Sequence, residues 1–293
     1  LILTTFGILF FHLFSNLYND YFDVTSGTDE ANTEYFNAGM NSSMLKGAQL
    51  SGGSRAVELG LITIKGTKSL ANIMFVLGLL TAAGILYTSY LNTGSTINAY
   101  YSSIIALTGI LIGYFYTAKP IRLSSRYGLG EVSIFLAFGP LLTLGTGFAI
   151  SNETIQLFSN EFYNLLVLGI PIGILTTNIL FINQYPDYTS DKKVGKNHLV
   201  VLLGKKASRW IYALNSAIAI GSLYFISENI VNDTQSLLFM YLLIPITIIY
   251  SFYLISGLFK YYNSRELIKY NIHTIYFHMF FSFVYMIILA NFQ

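Results

Sequence analysis

Apolar residues run along this chain in unbroken stretches and do not alternate with polar ones. Stretches of bilayer-crossing length, roughly 17–25 residues, lie near 1–19, 71–92, 98–117, 131–150, 163–183, 208–226, 237–259 and 272–291. At ~1.5 Å rise per residue, about 20 helical residues traverse the ~30 Å hydrocarbon layer. Barrel strands would be about half as long and would alternate. Helices also satisfy their own backbone hydrogen bonds, which lipid demands. The pattern predicts an all-α polytopic membrane protein with eight transmembrane helices. The chain opens LILTTFGILFFHLF, already inside an apolar stretch and with no charged leader, so further residues are expected upstream.

The polar connections sharpen this picture. All 16 Lys and Arg fall in alternate connections. Lys46, Arg55, Lys65 and Lys68 follow the first apolar stretch, and Lys119, Arg122 and Arg126 follow the third. Lys192, Lys193, Lys196, Lys205, Lys206 and Arg209 follow the fifth, and Lys260, Arg265 and Lys269 follow the seventh. Cations are retained on the inner side of membranes, so these four connections are expected in the cytoplasm and the C-terminus outside. Strict alternation supports the count of eight. The two longest connections, residues 20–70 and 184–207, share the basic face, and long connections in compact folds tend to be functional.

Composition removes the other classes. Hydrophobic residues make up 54% of the chain and charged residues only 10%, against roughly 25% in soluble domains. Mean hydropathy is +0.57. With 23 Tyr and 23 Phe, the chain is too adhesive to remain a solvated coil. It has no Cys, hence no disulfide scaffold and no thiolate metal site. A net charge of +2 offers nucleic acid no basic field.

Chemistry concentrates in two acidic segments, each beginning where an apolar stretch ends. The first reads Asn16-Leu-Tyr-Asn19-Asp20-Tyr-Phe-Asp23, followed by Asp29. The second reads Asn183-Gln-Tyr-Pro-Asp187-Tyr-Thr-Ser-Asp191. Asn19 with Asp23, and Asn183 with Asp187 and Asp191, recur at i,i+4, which stacks oxygen atoms on one helical face. Asn16 and Asp20 make the same pair in a second register, and spacing does not choose between them. One such segment could simply cap a helix end. Two matching segments on one face, both flanked by cations, point to a shared site. Hard oxygen donors without His or Cys suit Mg²⁺, which one or two carboxylates hold together with substrate phosphate oxygens. Two acidic clusters could therefore grip one diphosphate from both sides. Arg55, Lys119, Arg122, Arg126, Lys192 and Lys196 stand in the same layer as counter-charge.

At these residues the sequence resembles the UbiA family of membrane-embedded aromatic prenyltransferases, whose hallmark is the paired Asn/Asp motif. NLYNDYFDVTSGTD, SGGSR, YFYTAKPIRL with GLGE, FGPLLTLGTG and DKKVGKNHLVVLLG are similar to the branch that prenylates 1,4-dihydroxy-2-naphthoate in menaquinone synthesis. The resemblance implies one domain over residues 1–293, a nine-helix bundle in two pseudo-repeats near 1–150 and 151–293, with the first helix absent from this sequence. It also implies a Mg²⁺-bound polyprenyl diphosphate, an aromatic acceptor, and a multi-pass location in the cell membrane with the active site facing the cytoplasm. Carried over by position, Asn19, Asp23, Asn183, Asp187 and Asp191 are metal-side residues, with Asp20 and Asp29 as additions. Two departures bear on the acceptor. The naphthoate enzymes more often read Asn-Asn-x-Arg-Asp where this chain has Asn183-Gln184-Tyr185-Pro186-Asp187, and Arg-Thr where it has Asn197-His198. Pro186 is expected to distort its helix.

Tyr18, Tyr21, Tyr116, Tyr185 and Tyr188 are candidates to shield a carbocation through their ring faces. His12 lies one turn before Asn16 and could face the same cavity, though bonding to a neighbouring helix is the commoner role. His273 and His278 are expected to bond locally. Glu131 reads as a charge at a helix N-terminus. SGGSR could wrap phosphate through backbone N–H groups, but no strand precedes it, so it is not a P-loop. Other acceptors of the same superfamily remain open: a glyceryl phosphate ether, a hydroxybenzoate, a chlorin or a haem. A cation-coupled transporter would place its charges at the bilayer midplane, whereas here they gather at one face.

Overall fold

The computed structural model describes residues 2–25, 56–57 and 60–290. Among them the chain is helical throughout: α1 (Ile2–Thr25), α2 (Ile64–Thr93), α3 (Ile97–Phe115), α4 (Leu129–Phe138), α5 (Pro140–Ile150), α6 (Asn160–Lys193), α7 (Leu199–Asn229), α8 (Thr234–Tyr261) and α9 (Leu267–Ala290). Several helices begin on polar caps that satisfy otherwise orphaned N–H groups. Thr63 accepts from Gly66 N–H (3.0 Å), Ser159 from Phe162 N–H (3.2 Å) and Asp233 from Ser236 N–H (2.7 Å).

All eight expected helices are present. The fourth, expected as one rod over 131–150, is broken into α4 and α5, because Gly139 adopts φ −119°, ψ −107° just before Pro140. Taking α4 and α5 together, seven helices are long and apolar enough to cross a membrane among the described residues. α1 is not counted with them, since His12, Ser15, Asn16, Asn19, Asp20 and Asp23 make its second half polar. The connection expected over 184–207 is corrected. α6 continues past Pro186 to Lys193 and α7 begins at Leu199, so only five residues link them. The i,i+4 acidic spacing is that of a helix projecting beyond the apolar layer.

The helices pack in two groups. In the first, α1 lies on α2 and α3, and α3 on α5. In the second, α6, α7, α8 and α9 close a ring, each packed on the next and α9 back on α6. α6 also packs on α4 and α5 and so joins the groups. The seam is made of backbone: a Cβ added at Gly139 would meet Gly169 O at 2.7 Å, and one at Gly173 would meet Phe135 O at 2.6 Å. Gly169 and Gly173 form a small-xxx-small step of the kind that lets membrane helices approach closely. Outward faces carry Leu80, Ile249 and Phe252, all strongly exposed, as lipid contact requires.

Candidate functional site

The last turns of α1 and α6 end on the same face, and two short connections fold over them. After Lys193, Gly195 turns the chain with φ +73°, a left-handed conformation that favours glycine. Lys196 N–H then returns to Asp191 O (2.8 Å), which swings the Lys196 side chain back along α6. The segment from Tyr116 to Glu131 is held just as closely. Ser124 N–H donates to Tyr116 O (2.9 Å), Tyr127 N–H to Asn197 O (2.9 Å), and Asn197 N–H to Ser125 O (3.3 Å). Arg122 sits at φ +48° and Tyr127 at φ +45°, values that non-glycine residues adopt at some cost.

These connections bring the two acidic segments together. The charges around Asp23 are Lys196, Asp191, Asp20 and Arg122. Those around Lys196 are Asp191, Asp23 and Asp187. Lys196 Nζ is 3.8 Å from Asp191 Oδ1. Burial alone would lower the Lys196 pKa, but the surrounding carboxylates hold it above the ordinary lysine value, so Lys196 stays a cation between both segments. Asn19 faces the same place, accepting at Oδ1 from the Thr117 hydroxyl (2.8 Å). The Asn19–Asp23 register therefore points inward, with Asp20 beside it.

Asp191 is buried and doubly held. His198 Nδ1 accepts from Val201 N–H (3.3 Å), capping α7, which leaves the ring proton on Nε2 to donate to Asp191 Oδ2 (3.0 Å). Asp187 is also buried. Asn183 turns toward the second group, where its Oδ1 accepts from Asn271 Nδ2 (3.1 Å). Of the candidate cations, Arg122 and Lys196 neighbour Asp23. Arg126 instead ties its own loop, with Nε donating to Ile121 O (2.8 Å) and Nη2 to Pro120 O (2.9 Å). Lys192 lies over the Tyr188 ring at 5.8 Å, and Lys119 is exposed. Asp29, Arg55 and SGGSR lie outside the described residues.

From this charged end an apolar cavity of about 310 Å³ extends through the first group. Its α1 wall runs from Asn19 and Asn16 through His12 to Thr4, ~22 Å along the helix axis. Tyr116 links the two regions, since it lines the cavity and neighbours Lys196, Asp23, Asp191 and Glu131. In the same wall the His12 ring meets Phe138 edge-on at 5.4 Å. Of the five tyrosines singled out in the sequence, Tyr116 is the one found in this wall. Tyr18 donates to Asn72 Oδ1 (2.8 Å), Tyr21 lies under Lys68, Tyr185 bonds Ser208 (2.8 Å), and Tyr188 faces a different surface. His273 and His278 bond across helices, to Tyr250 and Thr176 respectively (both 2.8 Å).

Glu131 does more than charge a helix N-terminus. It does open α4, but it is buried and its Oε1 accepts from both Gln184 Nε2 (3.0 Å) and Leu199 N–H (3.0 Å). One carboxylate thus ties together α4, the second acidic segment and the start of α7. The signal was present in GLGE and in Gln184 standing between Asn183 and Asp187.

The donor set fits Mg²⁺ in chemistry, because Asp23, Asp187, Asp191 and Asn19 offer hard oxygen atoms. Among the described residues no group of three His, Cys, Asp or Glu side chains is assembled to hold a metal alone.

A family profile described as the UbiA prenyltransferase family matches residues 1–284. The 1,4-dihydroxy-2-naphthoate octaprenyltransferase of Bacillus subtilis (strain 168) is 27% identical over 214 residues, 73% of this chain and 58% of that protein. Its namesake in Escherichia coli (strain K12) is 30% identical over 217 residues, 73% of this chain and 59% of that protein. The chain thus spans under two thirds of the length of these curated relatives. A UbiA homolog from Archaeoglobus fulgidus, solved bound to GPP and Mg²⁺, matches with a TM-score of 0.58 at 17% identity, covering 97% of this chain and 87% of that one. At that identity the likeness speaks for the fold.

Proposed function

This chain belongs to the UbiA prenyltransferase family, and from that premise we propose that it transfers a polyprenyl group from its diphosphate to an aromatic acceptor of the 1,4-dihydroxy-2-naphthoate kind. One observation carries the reading. Carboxylates from two segments about 160 residues apart gather around Lys196 beside the end of an apolar cavity, joined to it by Tyr116 and Asn19. A diphosphate with a long apolar tail matches that juxtaposition of charge and hydrocarbon.

In this reading Lys196 and Arg122 meet the negative charge that builds on the leaving diphosphate. Asp23, Asp187, Asp191 and Asn19 hold Mg²⁺, which when bound neutralises the same phosphate oxygens. The allylic C–O bond breaks with both electrons going to the diphosphate. The cation left behind faces the Tyr116 ring and the His12–Phe138 wall, where ring faces stabilise positive charge. A ring carbon of the acceptor then bonds to the allylic carbon and loses its proton to the released diphosphate or to water. The tail lies along α1 and α3. The basic connections favour a cytoplasmic position for this end.

The test is turnover by the purified full chain with labelled geranylgeranyl diphosphate, Mg²⁺ and a panel of aromatic acceptors. A labelled prenyl-naphthoate product supports the reading. Product formation at the wild-type rate in Asp187→Ala would sink it.

A further inference from the structure

We propose that the outer surface where α6, α7 and the α8–α9 connection meet is a binding site for the headgroup of an anionic phospholipid. This goes beyond prenyl transfer and does not depend on it. A wide, open depression of about 780 Å³ lies there. Its lining includes Lys205, Lys206 and Arg209 together with Tyr188, Trp210 and Leu203, and no carboxylate among the described residues that line it. Lys205 does sense Asp187, but that carboxylate is buried and lies outside the lining.

The cations are arranged and not merely close. Gly204 takes φ +78°, ψ 152° and interrupts α7, so Lys205, Lys206 and Arg209 belong to a helical run re-aimed at this point. Arg209 is pinned. Its Nε donates to Lys206 O (3.0 Å) and its Nη1 to Phe259 O (2.9 Å), and its guanidinium lies 4.5 Å from the Phe259 ring and 4.4 Å from the Tyr262 ring. Lys205 Nζ stands over the Tyr188 ring at 5.5 Å. A guanidinium already fixed by rings and carbonyls loses little freedom when an anion arrives.

The neighbouring surface identifies the source of that anion. Leu203 and Trp210 lie in the same lining, Trp210 is 65% exposed, and one turn on Leu214 is 59% exposed. Positive charge therefore passes directly into a bare apolar strip along a membrane-spanning helix. A phosphate joined to acyl chains satisfies both surfaces, whereas free phosphate satisfies one. Basic pockets between spanning helices are known to take anionic headgroups, and tryptophan favours the headgroup level.

The experiment is native mass spectrometry of the full chain exchanged into mixed micelles with phosphatidylglycerol, cardiolipin or phosphatidylcholine. The anionic lipids should be retained over phosphatidylcholine, and Lys206→Gln should weaken that preference about fivefold. Adding Arg209→Gln should weaken it further. Lys206 is exposed, so its variant tests the site without touching packing. Lys65→Gln with Lys68→Gln, which removes two cations from the other group, should leave the preference unchanged. Equal loss in that control would reduce the effect to net charge and overturn the proposal. Displacement of the lipid by millimolar inorganic phosphate would assign the pocket to free phosphate and overturn it as well.

Discussion

The two helix groups differ in what fills them. Inside α6 to α9 a single cluster of buried side chains runs from Ile174 to Ile288, with Tyr185, Tyr212, Phe281 and Tyr285 at its centre. Hydroxyls and amides lock it further. Asn178 donates to Ser216 (3.1 Å) and accepts from Asn215 (3.0 Å), Tyr212 bonds Thr274 (3.1 Å), and Tyr285 donates to Leu168 O (3.1 Å). In the first group the buried apolar residues fall into two small clusters, Phe14, Tyr18 and Ala71, and Leu144, Phe148 and Ile155. The cavity lies beside both, lined by Ile110, which packs on the first, and Ile105, which packs on the second. One half of the molecule is a scaffold, and the other gives up packing to leave room for a ligand.

This contrast can be broken by measurement. The largest effect belongs to the scaffold: Phe281→Ala should cost about 3–5 kcal/mol, the loss of a large side chain from a filled core. Ile105→Ala, on the cavity wall, should cost about 1–2 kcal/mol because space already exists beside it. Equal shifts of the two melting temperatures would refute the distinction. Next come the charges that bridge the groups. Asp23→Ala and Asp187→Ala should each lower turnover about 10²–10³-fold with membrane insertion retained, read from labelled prenyl transfer in purified protein.

A smaller effect is expected where the scaffold holds a carboxylate for the cavity side. His198→Asn can still cap α7 but falls short of Asp191. Activity should fall about 10–100-fold and the Mg²⁺ requirement should rise, with little change in melting temperature. A large drop in stability would instead mean that His198 serves only the fold. The smallest effect is selective. A Cβ at Gly109, in the cavity wall, meets open space. Gly109→Leu should slow long prenyl diphosphates about tenfold while leaving short ones nearly untouched. Uniform slowing of both would place the tail elsewhere.

Much of this was legible in the sequence because lipid imposes a simple rule: a long apolar run must be a helix. The eight runs and the two acidic segments followed from that rule and from i,i+4 spacing. The break at Gly139 was not legible, since FGP reads equally well as a kink within one span, and only the approach of Gly169 and Gly173 makes it a corner. Nor did spacing reveal which cations serve the site. Arg126 and Arg122 sit four apart on one loop, yet one spends its donors on carbonyls and the other turns toward Asp23. That choice depends on backbone angles at Arg122 that no periodicity encodes.

The glycine seam has a mechanical consequence. Gly139, Gly169 and Gly173 set backbone against backbone with only the Thr143 hydroxyl and the Phe135 ring beside them, so little there can repack and the seam acts as a fulcrum. Asp187 stands fourteen residues beyond Gly173, a lever arm of ~21 Å. A single methyl wedged into the seam would tilt that arm, and the gap between Asp23 and Asp191 would change at its far end.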